Sequence, residues 1–121
     1  MKLQLKKDDI KPSFNLLGLE ALLDTGAEIS VCNLSQAVFE QIFMNNFKEK
    51  EEYYINGFGG KAKGVKYTIL TLIIGDMTFT NIPIFVPDKP TTKYKFIIAG
   101  TLFSDFSYTI NMKENILEIN A

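Results

Sequence analysis

The chain has 121 residues, 46% of them hydrophobic, and a formal net charge of −1. That length and apolar content suit one folded domain over residues 1–121 and exclude a disordered chain, while the charge excludes the basic excess of a general nucleic-acid binder. No apolar run approaches the length of a membrane span, and the opening MKLQLKKDDIKPSF lacks the continuous apolar core of a secretion signal, so no membrane contact and a cytoplasmic location are expected.

In chain order, KLQLK (residues 2–6) alternates and predicts a strand. LEALLD and EISVC predict strands on either side of an Asp-Thr-Gly turn. Ser35 is a good N-cap and Leu34 before it can pack on Phe39, and Val38, Phe39, Ile42, Phe43 and Phe47 then fall at helical spacing. A central helix over residues 35–46 follows. Residues 49–52, Glu-Lys-Glu-Glu, read as a solvated loop. EYYING and VKYTILTLIIG predict strands around a glycine-rich middle; in the second, Tyr67, Ile69, Thr71 and Ile73 share one face. MTFTNIPIFV, YKFIIAG, YTINM and NILEIN complete the strands, with turns at residues 75–76 and 113–115 and a short helix over residues 101–106. The pattern is mainly β with frequent turns, which suits a small barrel or sandwich.

The missing residue types narrow the chemistry. Without histidine there is no Ser-His-Asp or Cys-His arrangement and no His-ligated zinc. The single cysteine, Cys32, has no disulfide partner within the chain and sits in an apolar run, where a buried structural role is expected. All thirteen basic residues are lysines, since the chain has no arginine. Asp8 and Asp9 have no third ligand nearby and read as a surface turn, so no metal is expected. Lys61, Lys63 and Lys66, beside Phe58 and Tyr67, read as the solvated side of a hairpin rather than a nucleic-acid strip. Carboxylates are left as the foremost proton carriers.

One carboxylate stands out. In ALLDTGAEISVC, residues 21–32, an apolar strand delivers Asp24 to its end. Gly26 permits a tight turn that brings a backbone N–H toward the carboxylate, and Thr25 adds a hydroxyl able to bond a neighbouring backbone. A carboxylate held this way is useful in a pair, because two that face each other share one proton and supply a general acid and a general base together. A plain structural turn is the alternative.

Asp24-Thr25-Gly26-Ala27, with apolar residues before it and EISV after, resembles the active-site motif of the retropepsins, the retroviral-type aspartic proteases and their bacterial and mobile-element relatives. Two further stretches fall in the same order. YYINGFGGKAKGVKY is similar to the flap, with Gly57, Gly59, Gly60 and Gly64 making it supple and Phe58 near its tip, and FIIAGTLF is similar to the segment that packs beside the aspartate loop. Residues 14–119 are covered by the likeness. It departs from the retroviral pattern at Glu28, where an aspartate is usual, at Ala99, an extra residue before the glycine, and at Thr101, where an arginine is usual.

The resemblance implies a closed, barrel-like acid-protease lobe with one central helix and a short C-terminal helix. It also implies an aspartic endopeptidase with no cofactor. Asp24, Thr25 and Gly26 would form the catalytic loop, while Ala27, Phe58, Gly59 and Gly60 would contact a polypeptide substrate rich in apolar side chains. The chain contains one Asp-x-Gly, so a two-aspartate mechanism requires a homodimer with one Asp24 from each chain. The alternative is a retropepsin-like dimerisation or peptide-binding module with weak or no turnover, toward which the missing arginine leans.

Overall fold

In the computed structural model, the described residues are 1–7, 12–57, 60–90 and 94–120. The strands, in chain order, are β1 (Lys2–Gln4), β2 (Lys6–Lys7), β3 (Pro12–Leu16), β4 (Leu19–Asp24), β5 (Ser30–Cys32), β6 (Phe47–Gly57), β7 (Gly60–Ile74), β8 (Met77–Pro87), β9 (Phe96–Ala99), β10 (Ser107–Asn111) and β11 (Ile116–Asn120). Among the described residues, one α-helix, α1 (Gln36–Ile42), and one 3-10 turn, Gly100–Phe103, complete the set.

The strands form two sheets among the described residues. The larger runs β2-β3-β4-β9-β5-β8-β7-β6 and the smaller β1-β11-β10. Both are open: β2 and β6, which would have to meet to close the larger sheet, lie at its opposite ends. The closed barrel expected from the sequence is therefore not found. The break at Leu5 is one physical reason. This buried residue, whose N–H donates to the Asn115 carbonyl at 2.6 Å, splits the first alternating stretch between the two sheets.

The pairing is mostly antiparallel, with two parallel exceptions, β4 with β9 and β5 with β8. Strand β9 thus lies between β4 and β5, parallel to the first and antiparallel to the second. Strands covered on both faces read as continuous apolar runs. Accordingly Ala21, Leu22 and Leu23 of β4 are all buried, as are Phe96, Ile98 and Ala99 of β9.

Helix α1 begins as expected. The Ser35 side chain accepts from the Val38 N–H at 3.2 Å, and Phe39 points into the core against Phe43 and Tyr67. It ends at Ile42, short of the expected residue 46. Asn45 adopts the left-handed conformation (φ 63°), which breaks the helical repeat, and the Asn46 side chain docks on Thr71 through two hydrogen bonds. Phe47 then opens β6, its ring edge-on to Tyr67. Residues 49–52, expected as a loop, are exposed but belong to β6 and pair with β7, where Lys66 and Glu51 face each other.

The inward face of β7 changes partway. Tyr67 and Ile69 are buried, Thr71 and Ile73 are exposed, and Leu72 and Ile74 are buried instead. Asn81 on the paired strand has φ 54°, and there Thr80 and Asn81 are both exposed between buried Phe79 and Ile82. The hairpin therefore kinks and presents different faces along its length. The expected turns at residues 75–76 and 113–115 form, with Gly75 and Asn115 at positive φ.

The short helix expected at residues 101–106 is a single 3-10 turn, so no C-terminal α-helix forms. Phe103 and Phe106 both lie against Phe79, with ring centroids 5.5 and 6.1 Å away, which fixes the segment by packing rather than by helical length. Cys32 is fully buried, as expected.

Candidate active site

Asp24 is the last residue of β4, directly beside Ala99 of the parallel β9. The chain turns at once: the Gly26 N–H donates to the Asp24 Oδ1 at 3.1 Å, and the Ala27 N–H donates to the Asp24 carbonyl at 3.2 Å. Asp24 is half-buried, while Thr25 and Gly26 are exposed. The carboxylate is thus tethered from its own loop.

The end of β9 and the 3-10 turn after it clamp that loop from the other side. The Ala99 N–H donates to the buried Ser30 Oγ at 3.0 Å, and the Thr101 hydroxyl donates to the Glu28 carbonyl at 3.1 Å. Gly100 lies between them against the Thr25 backbone. This arrangement gives the extra Ala99 a place: it pairs with Asp24, and the glycine that follows meets Thr25. Ser30 is a site-building residue that sequence reasoning did not single out, and Thr101 stands out in the sequence only because an arginine is usual there. Their partners lie 69 and 73 residues away, so no local pattern marks them.

A cleft of about 800 Å³ opens beside the loop, lined by Gly26, Ala27 and Ile29 after β4, by Tyr53 and Ile55 of β6, and by Pro83 of β8. Ala27 lines it. Gly60, with φ 102°, pairs with Gly57 at the end of the β6–β7 hairpin and does not line the cleft. Phe58 and Gly59 lie outside the described residues. Gly64 has a different part from the one expected. A β-carbon there would come within 2.7 Å of the Pro87 Cα and 2.8 Å of the Phe85 ring, so this glycine permits close approach of β8 rather than suppleness. The lysines also divide: Lys61 and Lys63 are exposed and pair across the hairpin with Asn56 and Tyr54, whereas Lys66 lies on the opposite face of the strand and is the one of the three that lines the cleft. Tyr53, Ile55 and Lys66 were legible only as alternate positions of strands.

The hairpin is anchored to α1 by a small polar group. Glu40 Oε2 accepts from Lys50 Nζ at 3.0 Å and from the Tyr67 hydroxyl at 2.9 Å. These hydrogen bonds, Lys50 first, hold the Glu40 carboxyl below its ordinary range, and burial pushes the Tyr67 phenol well up. Among the described residues, no three Cys, Asp or Glu cluster as metal ligands, and no helix is long and apolar enough to cross a membrane.

Residues 12–102 match the aspartyl protease family. The chain belongs to that family. The aspartyl protease match spans the Asp24 loop, the cleft walls and the clamp from β9. The fold is retropepsin-like: it is similar to the crystal structure of a retropepsin-like aspartic protease from Rickettsia conorii, with a TM-score of 0.59 and 17% sequence identity, covering 99% of this chain and 89% of that one. No curated protein matches the chain.

Proposed function

We propose that this aspartyl protease family member is an aspartic endopeptidase working as a homodimer. The observation that carries this reading is the Asp24 carboxylate, held by the N–H of Gly26, a residue that itself lines a cleft of about 800 Å³. With one Asp-Thr-Gly per chain, the pair is made by two copies meeting at their Asp24 loops. Exposure of Thr25 and Gly26 supports this, since loop residues that meet a second copy must be accessible in the single chain.

Two carboxylates in contact share a proton, because both cannot be charged cheaply at close range. The charged one takes a proton from a water held between them, and that water attacks the peptide carbonyl. The protonated one donates to the carbonyl oxygen, and the tetrahedral species then collapses with protonation of the leaving amine. The substrate lies extended in the cleft, hydrogen-bonded as an added strand, with side chains alternating between its walls. Ile29, Ile55 and Pro83 favour apolar side chains next to the cut. Thr25 and Gly26 shape the catalytic loop, and Ala27 contacts substrate. Phe58, Gly59 and Gly60 are the further residues we propose to contact substrate.

The test is cleavage of a diverse peptide mixture by the wild type and by Asp24→Asn, at several protein concentrations and from about pH 4 to about pH 7.5. Cleavage between apolar residues, a rate per chain that climbs with concentration, and loss of activity in Asp24→Asn are expected. The absence of arginine, and with it of the usual retroviral interface charge pair, favours a second reading as a peptide-binding module without turnover. Peptide binding without cleavage at any concentration would select that reading.

A further inference from the structure

The cleft is electrically asymmetric. Of its lining residues, Glu28 lies on the aspartate-loop side and Lys66 on the hairpin side. Strand register shows how the lysine arrives there. Lys66 is directly opposite Glu51 on β6 and Phe85 on β8, and Tyr53 is opposite Gly64. Residues two apart on a strand share a face, so Glu51, Tyr53, Lys66 and Phe85 form one surface. The Phe85 ring fills the space left by the absent Gly64 side chain and meets Tyr53 edge-on, with centroids 5.9 Å apart. Tyr53 is thereby fixed as a wall. The Lys66 ammonium lies 5.1 Å from the centre of that tyrosine ring.

Its partner in the chain is a weak one. Lys66 Nζ is 3.6 Å from Glu51 Oε1, beyond a good hydrogen bond, and the Glu51 side chain is 64% exposed. Lys63, on the other face of the strand, shows the contrast, with Glu52 at 3.1 Å. A desolvated carboxylate brought in by a peptide strand would meet Lys66 in a less watery setting than Glu51 does and would compete for it.

We infer that Lys66 and Tyr53 form a selective subsite for an acidic side chain, so that the cleft prefers peptides with glutamate or aspartate at one fixed distance from the scissile bond. The inference rests on the endopeptidase reading for the words "scissile bond", but the charge preference itself is a property of binding. Lys66 sets specificity and takes no part in the chemical step.

The experiment uses peptides of one apolar core sequence in which each position in turn carries Glu, Gln or Lys. Their kcat/KM is measured for the wild type, Lys66→Gln, Lys66→Glu and Glu51→Gln. Binding of the same peptides to Asp24→Asn is followed by fluorescence anisotropy. At one position the wild type should favour Glu over Gln by about fivefold to tenfold, a ratio that shrinks as salt is raised. Lys66→Gln should bring the ratio near one, Lys66→Glu should turn the preference toward Lys, and Glu51→Gln should sharpen the preference for Glu by removing the internal competitor. A lysine that merely supported the fold would not give opposite shifts in these variants. Cleavage with no charge preference at any position overturns the subsite and leaves the endopeptidase standing. Charge-dependent binding without cleavage overturns the endopeptidase and leaves the subsite standing. Neither cleavage nor charge-dependent binding overturns both.

Discussion

Gly100 lies so close to Thr25 that a β-carbon at position 100 would sit 2.9 Å from the Thr25 Cα and 2.9 Å from its carbonyl oxygen. Both are backbone atoms of the loop that carries Asp24, so the loop and not a side chain would have to yield. Gly100→Ala should therefore destabilise the chain by about 1–3 kcal/mol and reduce cleavage more than the loss of folded protein accounts for. Denaturant unfolding, set beside activity per folded chain, separates the two effects.

Ser30 gives a second, independent handle on the same loop. Its hydroxyl is the acceptor for the buried Ala99 N–H. Ser30→Ala leaves that N–H without its partner and should cost about 1–3 kcal/mol in urea unfolding. An unchanged midpoint would mean that the loop rearranges to supply another acceptor.

The difference between these residues and Asp24 explains what the sequence disclosed. The Asp-Thr-Gly turn is local: strand, carboxylate and glycine are adjacent, and the Gly26 N–H does approach Asp24. Most strands were legible for the same reason, through alternation within a few residues. The segment of the clamp was legible through its likeness, but its bonds were not, because Ser30 and Thr101 take their partners about seventy positions away. Strand β3 escaped notice because it ends in a tight turn at Leu17 and Gly18, both at positive φ, with no Asn-Gly or Asp-Gly signal. The helix overran its true end on paper because Phe47 kept the helical spacing while actually belonging to a strand. Open sheet edges are a matter of long-range pairing, which no local pattern states.

Acid should expose the contribution of Glu40. Its folded carboxyl titrates below the ordinary 4.5, first through the Lys50 hydrogen bond and then through that of Tyr67. A depressed acid stabilises the fold above its unfolded value, and that contribution fades as pH falls through the folded value. The stability of the wild type should therefore drop below the ordinary 4.5 with a component that Glu40→Gln lacks. Urea midpoints measured across that range for both proteins check this. Equal slopes would remove Glu40 from the account.

Cys32 should be inert in the folded chain. Its burial pushes the thiol up to about 11, which leaves on the order of one thiolate in a thousand at pH 8. A disulfide reagent at that pH should label the native protein only as fast as it opens, and label it at once in denaturant. Rapid native labelling would show that the β5 region opens far more readily than its packing indicates.

Strand β9 sits between β4 and β5, and this insertion has a consequence for timing. During synthesis the tripeptide Asp24-Thr25-Gly26 leaves the ribosome early, but the residues that hold its loop, Ala99 to Thr101, follow some seventy positions later. Contacts of such long sequence separation form late in folding, since the loop between them must first be closed. A nascent or truncated chain that stops before Ala99 carries the carboxylate without its seat. On the endopeptidase reading, a chain cut short before that point has no formed catalytic loop, and topology alone keeps it inactive.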